Sequence, residues 1–170
     1  IAAARRVPAN IIGDGVHTVS GLVKIKNKSK LKRWQNKKFY VGEIKITDIE
    51  LLNLKEQGLK RGSVPKKGQR VFLRKNANIS SGGESIDMTD NIHASVKKIV
   101  LNAMKAIPGL RYAGIDIITK KQLSENHGSN DYVIIEVNNM PGLTSHYFPI
   151  QGKQRNICGA ILDMLFSGAK

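Results

Sequence analysis

The sequence has few aromatic residues, a single cysteine and no long apolar run. Aromatic residues make up 5% of the 170 residues, and Cys158 is the one cysteine. A lone cysteine cannot form an internal disulfide, and because Cys158 lies among apolar residues, it is interpreted as a buried structural thiol rather than a nucleophile. No segment reaches the ~18 consecutive apolar residues of a membrane span, and no secretory leader is visible. These absences predict a cytoplasmic protein.

Acidic residues are also scarce relative to basic ones. The chain has 28 Lys and Arg against 13 Asp and Glu, which gives a formal net charge of +15. Such a surface attracts polyanions, including nucleic acid and nucleotides. The lysines crowd residues 24–38, but apart from Trp34, Phe39 and Tyr40 few rings near them could stack on bases. A solvated basic face, or a funnel for a phosphate-rich small molecule, is at least as compatible with this pattern.

The size and the first residues of the chain concern its domain organisation. An apolar fraction of 41% over 170 residues suits one globular domain with a core. The opening "IAAARRVPANIIGDG" has no initiator methionine and begins in a strand-like segment. We therefore expect residues 1–170 to form a single domain that is a fragment of a longer chain. Arg5 and Arg6 face either a nucleotide or the solvent.

Hydrophobic periodicity and turn residues predict interspersed strands and helices. Strands are expected at residues 1–7, 70–74, 112–119 and 132–137, and helices from about 16, from 47 to 57, from about 91 and from 153 to 166. Residues 132–137 are mostly aliphatic and predict a buried strand. The short connection between the last two strands favours an antiparallel pair. The expected fold class is α+β, a mainly antiparallel sheet packed against helices, rather than a Rossmann sheet.

Two local signals refine these boundaries. The stretch "TDIE" from Thr47 to Glu50 has the form of a capping box, and Gly58 ends the helix that follows. Residues 75–90 form a polar, glycine-rich stretch that is predicted to be a long loop, and such loops are usually functional or disordered. Asp90 or Asn91 is predicted to cap the next helix.

Two acids interrupt apolar strands. Asp116 lies in "GIDII" and Glu136 in "YVIIEV", and Asn138 points to the same side as Glu136 in an extended chain. In an antiparallel pair these three side chains can share one face, where their oxygens suit Mg²⁺ or Mn²⁺. Without a cation two crowded carboxylates would repel each other. The alternative is that each acid pairs with one of the many lysines and arginines.

The stretch "RKNANISSGGES" is a second candidate for binding. It offers Arg74, Asn76, Asn78 and the backbone N–H groups of Gly82 and Gly83. Such a nest suits phosphate or carboxylate oxygens. The stretch is not a Walker sequence, because the final Gly-Lys-Ser/Thr is missing. An ordinary surface turn remains the alternative.

The residues after the last strand form a third candidate. "NNMPGLTSH" reverses the chain and projects Thr144, Ser145 and His146 near the presumed cation, where they could hold a substrate carboxylate. A histidine in such a place is otherwise a surface or hydrogen-bonded residue.

Taken in order, these motifs resemble a known family. "GIDII…YVIIEVNNMPGLTSH" resembles the C-terminal lobe of ATP-grasp carboxylate–amine ligases, and "EVNNMPGLTSH" is similar to the metal-binding strand of D-alanine–D-alanine ligases. The longer pattern "RRVPANIIGDGVHTV … SVPKKGQRVFLRKNANISSGGESIDMTD" resembles the ATP-grasp modules of cyanophycin synthetase and the bifunctional glutathione-forming ligase. The resemblance covers nearly the whole chain.

The resemblance implies a reaction and roles for the candidate residues. ATP phosphorylates a carboxylate to an acyl phosphate, and an amine displaces the phosphate to give an amide. Arg74 matches the catalytic basic residue that steadies the transferring phosphoryl group, and the "SSGGES" loop matches a region that closes near the substrates. The implied Mg²⁺ ligands are Asp116, Glu136 and Asn138. The residues implied at the ATP phosphates are Arg74, Asn76, Asn78, Gly82 and Gly83, and those at the substrate are Ser81, Thr144, Ser145 and His146.

The resemblance also implies partners. The family's small ATP-binding lobe lies upstream, nothing in this sequence corresponds to it, and we expect it in the same protein. ATP, a carboxylate and an amine are the expected small-molecule partners, and neither nucleic acid nor a membrane is expected. Two other readings stay open: a basic nucleic-acid-binding module whose acids are structural, and an ATP-grasp-derived scaffold that no longer catalyses.

Overall fold

The computed structural model describes residues 1–34 and 42–166. Phe39 and Tyr40 therefore lie outside the described residues, as does the side chain of Trp34. The strands are β1 (Ala4–Val7), β2 (Asn10–Ile12), β3 (Arg70–Phe72), β4 (Glu84–Asp87), β5 (Gly114–Thr119) and β6 (Tyr132–Asn138). The helices are α1 (Val19–Trp34), α2 (Asp48–Glu56), α3 (Ala94–Lys105), α4 (Thr144–Tyr147) and α5 (Ile157–Leu165).

The fold class is α+β, as the sequence predicts, but the described strands form small sheets and not one mainly antiparallel sheet. Among the described residues the strands form three two-stranded sheets, β1 with β4, β2 with β3, and β5 with β6. The chain divides into two compact units, which we name the N-terminal unit (Arg6–Ser85) and the C-terminal unit (Ile86–Lys170 with Ile1–Arg5). A single domain over residues 1–170 stays a prediction. No helix in the described ranges is long and apolar enough to cross a membrane.

The N-terminal unit is built on the antiparallel pair β2–β3, in which Asn10 lies opposite Phe72 and Ile12 opposite Arg70. Alternate residues of these strands and the apolar stripe of α1 face one another and exclude water. The strand β2 was not predicted, because its three residues are too few to show a period. The buried core comprises Ala9, Ile11, Val19, Leu22, Val23, Ile44, Leu54, Val71 and Leu73.

The predicted capping box at the start of α2 is confirmed. The backbone N–H of Thr47 donates to Oε2 of Glu50 at 2.8 Å, so the glutamate satisfies a donor ahead of the first helical turn. After Gln57 the chain turns at Gly58, whose φ of 70° lies in the left-handed region that favours glycine. The helix therefore begins and ends where the local sequence dictates.

In the C-terminal unit β5 and β6 form the predicted antiparallel pair. Gly114 lies opposite Asn138 and Asp116 opposite Glu136, and an irregularity follows between Asp116 and Ile117. At that point Ile135 is an extra residue on β6, since Ile117 lies opposite Ile134. The helix α3 packs its buried Val96 within the same unit.

Residues 75–90 are not one long loop, which corrects the sequence prediction. They contain a 3₁₀ turn (Ile79–Ser81) and the strand β4. The next helix is capped by His93, whose Nδ1 accepts from the Ser95 N–H at 3.1 Å, and not by Asp90 or Asn91. The reason is that Asp90 and Asn91 belong to a second 3₁₀ turn (Thr89–Asn91).

Three further expectations are corrected in the C-terminal unit. β6 is not a buried strand, since Val133 is 59% and Ile135 is 56% exposed. Cys158 is exposed rather than buried, because its apolar neighbours on α5 are themselves exposed, Leu162 by 54%. The last helix begins at Ile157 and not at 153, since Asn156 caps it by accepting from the Gly159 N–H at 2.9 Å.

Candidate functional site

The hairpin β5–β6 brings the predicted cation ligands together. Asp116 and Glu136 are direct register partners, so their side chains leave the same face of the pair. Asn138, two residues beyond Glu136, shares that face. Its Nδ2 donates to Oε1 of Glu136 at 2.8 Å, which leaves Oδ1 as the amide atom able to face a cation. Glu136 and Asn138 are exposed and Asp116 is half-buried, so the three can be reached from solvent.

This donor set fits a hard divalent cation that takes some of its ligands from the protein and the others from a substrate. Two carboxylates and an amide oxygen are the ligand types that Mg²⁺ and Mn²⁺ prefer, but they do not complete an octahedron. Among residues 1–34 and 42–166 no group of three or more His, Cys, Asp or Glu is placed to hold a metal. A cation at this hairpin therefore needs further oxygens from water or phosphate.

Thr144, Ser145 and His146 form most of the short helix α4. Thr144 is exposed, while Ser145 and His146 are half-buried. Nδ1 of His146 is buried and has no hydrogen-bond partner within the described residues. Burial lowers the pKa of His146, against the opposite pull of the Asp87 charge. The imidazole is therefore mainly neutral at pH 7, with a buried nitrogen that no described group satisfies.

An ion-pair network that the sequence analysis missed holds the segment after α4. The Arg155 guanidinium donates to Oδ2 of Asp87 from Nη2 at 2.6 Å, and the same Nη2 lies 2.9 Å from Oδ2 of Asp90. The Arg155 N–H also donates to the carbonyl of His146 at 3.0 Å. Burial pushes the pKa of Asp87 upward, but the hydrogen bonds from Arg155 and Thr89 outweigh it and hold the pKa well below its usual range. The acids of "SIDMTD" are the sequence signal for this network.

In the N-terminal unit Arg74 lies two residues after the end of β3 and is half-buried. Its Nε donates to Oε1 of Glu50 at 2.5 Å. Asn76 and Asn78 are exposed. Oδ1 of Asn78 accepts from the N–H of Ser80 at 3.1 Å and from its hydroxyl at 2.9 Å, which caps the 3₁₀ turn. Asn78 therefore shapes the loop through its side-chain oxygen, and its place at the ATP phosphates stays a prediction.

Gly82 and Gly83 are buried and close the loop on itself. The Gly82 N–H donates to the Ile79 carbonyl at 3.1 Å, and the Gly83 N–H donates to the Asn78 carbonyl at 3.0 Å. In this conformation both N–H groups have acceptors inside the loop. The Ser81 hydroxyl likewise donates to the Asn78 carbonyl, at 3.2 Å. The glycines give the loop its compact form, and their place at the ATP phosphates stays a prediction.

Two lysines of α1 hold this loop, although the sequence analysis placed the whole lysine run on a solvated face or a funnel. Nζ of Lys30 donates to the Gly82 carbonyl at 2.7 Å, and Nζ of Lys26 lies 3.0 Å from Oε1 of Glu84. Lys30 is 5% exposed, and burial lowers its pKa to about 8. The missed signal is spacing: Lys26 and Lys30 continue the stripe of Val19 and Val23 at three- and four-residue intervals.

Comparisons with known proteins show that this chain is similar to ligases. No family model matches the chain. Two kinds of curated relative, both ligases, align with nearly all of it, and the chain is homologous to one segment of each. The resemblance stated from the motifs is therefore confirmed, and the chain spans about a fifth of the length of the curated relatives it matches.

The particular relatives are biosynthetic enzymes. The chain is 43% identical over 166 residues to the glutathione biosynthesis bifunctional protein GshAB of Clostridium perfringens, which covers 95% of this chain and 20% of the relative. It is 39% identical over 166 residues to the cyanophycin synthetase of Crocosphaera subtropica, covering 98% of this chain and 19% of the relative. The crystal structure of a bifunctional glutathione synthetase from Pasteurella multocida matches with a TM-score of 0.81 and 39% identity, over 98% of this chain and 23% of that chain.

Proposed function

We propose that this chain is the C-terminal lobe of an ATP-grasp ligase that joins a carboxylate to an amine through an acyl phosphate. In the first step a carboxylate oxygen attacks the γ-phosphorus of ATP and the bond to ADP breaks. In the second the amine attacks the acyl carbon, and phosphate leaves as the amine loses a proton. The homology to ligases supports the reaction class, and the observation that carries the proposal is the shared face of Asp116, Glu136 and Asn138.

In this proposal Asp116, Glu136 and Asn138 hold Mg²⁺ or Mn²⁺, which neutralises charge on the ATP phosphates. The mixed donor set supports this assignment, because Mg²⁺ usually takes one or two protein carboxylates plus phosphate oxygens. The hydrogen bond from Asn138 to Glu136 orients both side chains before a cation arrives.

The phosphate contacts are proposed for the N-terminal unit. Arg74 steadies the phosphoryl group, since a guanidinium is positively charged and can donate two parallel hydrogen bonds to two phosphate oxygens. The exposed side chains of Asn76 and Asn78, with the backbone of Gly82 and Gly83, contribute the remaining polar groups. Ser81 is proposed to contact the substrate.

Substrate binding in the C-terminal unit is proposed for Thr144, Ser145 and His146. A neutral imidazole with an unsatisfied buried nitrogen suits a hydrogen bond to a substrate. It does not suit the role of a positive charge that attracts the substrate. The relatives are named for glutathione and cyanophycin, so amino acids or a peptide are the proposed carboxylate and amine. The upstream small ATP-binding lobe of the same protein is the proposed partner.

A paramagnetic titration tests the cation site directly. Mn²⁺ added to the ¹⁵N-labelled chain should broaden the amide signals of residues 114–118 and 134–138 first, because broadening falls steeply with distance from the ion. Glu136→Gln should abolish this local effect. Glu125→Gln, the same chemical change at another exposed residue, should not. Calorimetry with ADP, with and without Mg²⁺, should show binding that needs both Mg²⁺ and Glu136.

Broadening that is equal in Glu136→Gln, or that is spread over other acids, would contradict the cation site. If nucleotide binding that needs Mg²⁺ and Glu136 is not found, and the chain instead binds nucleic acid tightly with an affinity that falls steeply with salt, the nucleic-acid-binding alternative would be favoured.

A further inference from the structure

The carboxylate of Glu50 is the most deeply buried charge in the N-terminal unit among the described residues, with 1% exposure. Its Oε2 accepts from the Thr47 N–H at 2.8 Å and from the Thr47 hydroxyl at 2.5 Å. Its other oxygen, Oε1, accepts from Nε of Arg74. Burial pushes the pKa of Glu50 upward, but these hydrogen bonds outweigh it and leave the pKa below its usual value. A buried carboxylate kept ionised in this way is a fixed counter-charge.

Glu50 belongs to a polar face, formed by α2 and its C-cap residue Gln57, that lies along the end of β3 and the two residues after it. Asn53 donates from Nδ2 to the Leu73 carbonyl at 3.0 Å. Gln57 donates from Nε2 to the Phe72 carbonyl at 2.7 Å, and its Oε1 accepts from the Phe72 N–H at 3.1 Å. Positions 50, 53 and 57 share one side of a helix. They therefore contact three successive residues, Phe72, Leu73 and Arg74, and fix the path along which the chain leaves the strand.

The consequence falls on the guanidinium of Arg74. Its backbone N–H is held by the Ala9 carbonyl at 3.3 Å, and its Nε is held by Glu50. A guanidinium has five N–H donors in a rigid fork, of which Nε uses one. Within the described residues Nη1 and Nη2 have no hydrogen-bond acceptor, and the Arg74 side chain is 23% exposed. The Nη1 and Nη2 groups are therefore available to an anion, while the hydrogen bond from Nε to Glu50 sets the orientation of the guanidinium.

We propose that Glu50 is a positioning residue that orients Arg74, so that both Nη groups of the fork face an incoming phosphoryl or carboxylate oxygen. This inference rests on the proposed function in so far as Arg74 is assigned to that anion. An arginine on an exposed loop loses rotamer freedom when it binds, whereas the one held by Glu50 has lost it already. The glutamate of the capping box thereby serves two purposes, one for the helix and one for the ligand.

The first test observes the orientation without any ligand. In the ¹⁵N-labelled chain the Nε–H of Arg74, assigned through Arg74→Lys, should give a resolved signal that exchanges slowly with water, because it is hydrogen-bonded. Glu50→Gln should move this signal and speed its exchange at least tenfold. Glu56→Gln makes the same change on the same helix, where Glu56 pairs with Lys75 at 2.8 Å in solvent, and should leave the signal as it is. A signal that exchanges as fast as exposed arginines, or that is unmoved in Glu50→Gln, would overturn the inference.

The second test separates orientation from stability. Glu50→Gln should weaken binding of inorganic pyrophosphate by about fivefold, the factor expected when a side chain must be ordered on binding. Leu51→Ala loosens α2 by removing a partly buried apolar side chain that packs against the core. It should lower the midpoint of urea unfolding and leave the affinity unchanged. Glu50→Gln should have no further effect in the Arg74→Lys background.

The outcomes distinguish this inference from the proposed function. If wild-type chain binds pyrophosphate and Arg74→Lys binds it equally well, the proposed role of Arg74 fails, whatever the Nε–H signal shows. If Arg74→Lys weakens binding but Glu50→Gln does not, Arg74 keeps its role and the positioning by Glu50 is wrong. An equal loss of affinity in Leu51→Ala would also overturn the inference, since it would reduce the effect of Glu50 to general stability.

Discussion

At the scale of single residues, Gly82 shows how close packing and backbone conformation combine. Its φ is 95°, and a Cβ added there would lie 2.6 Å from Cγ1 of Ile44. We expect Gly82→Ala to lower the free energy of unfolding by about 1–3 kcal/mol, from strain and contact together. Gly68 is the matched control, because its φ of 80° is similar but an added Cβ would meet nothing within 4 Å. Urea unfolding of both variants should show the larger loss in Gly82→Ala, and equal losses would contradict the packing argument.

Lys30 gives a prediction about pH. Burial lowers its pKa to about 8 in the folded chain, from the ordinary lysine value of 10.5. Between these values the unfolded chain binds more protons, so the stability that Lys30 contributes should rise with pH, by up to about 3 kcal/mol. The difference between wild type and Lys30→Met in urea unfolding, measured from pH 7 to pH 10, should show this slope. A difference that stays flat, while the exposed control Lys28→Met also stays flat, would contradict it.

At the scale of elements, the Arg155–Asp87 pair joins the end of β4 to the segment after α4. Asp87→Asn should destabilise the chain by about 1–3 kcal/mol, because it weakens charge-assisted hydrogen bonds to a side chain that is 6% exposed. The pKa of Asp87 is depressed in the fold, so its contribution is complete above pH ~4 and is lost as the pH falls further. As the pH is lowered from 7 to 3, the midpoint temperature of thermal unfolding of the wild type should approach that of Asp87→Asn. Asp163→Asn, an exposed change on α5, should follow the wild type.

The elements also show what local sequence can and cannot predict. The capping box at Thr47 and the antiparallel pairing of β5 with β6 were predictable, because each depends on residues close in the chain. The register that places Asp116 opposite Glu136 agrees with the predicted shared face. The strand β4 was missed, since its partner β1 lies about 80 residues away. The exposure of Ile135 was missed as well, because the prediction rested on the aliphatic composition of residues 132–137, and that composition does not show the bulge at Ile135.

Side-chain roles were harder to predict than elements. Arg74 was singled out, but Glu50 was seen only as a helix cap, because its second oxygen is used by a residue of another element. Asp87 and Arg155 were missed as a pair for the same reason. Contacts between residues far apart in the chain leave no periodic pattern in the sequence.

At the scale of the whole molecule, the net charge of +15 predicts binding to polyanions without sequence preference. Affinity for double-stranded DNA should fall steeply between about 50 and about 200 mM salt, because each phosphate contact releases counterions. Binding of ADP with Mg²⁺ should fall less, since it depends on a few oriented groups. Filter binding and calorimetry over the same salt series compare the two. A DNA affinity that holds up in salt while ADP binding vanishes would reverse the proposed preference.

Lys26 and Lys30 of α1 have a practical consequence for anyone who alters this surface. Lys24 and Lys28 are exposed, whereas Lys30 is buried and Lys26 is half-buried. An amine-reactive label should therefore modify the first two quickly and Lys30 slowly. Neutralising Lys24 and Lys28 should make the protein less adhesive to acidic surfaces at little structural risk. The same replacement at Lys26 or Lys30 would release the glycine-rich loop. The lysines of α1 therefore form two groups, one that can be replaced freely and one that supports the structure.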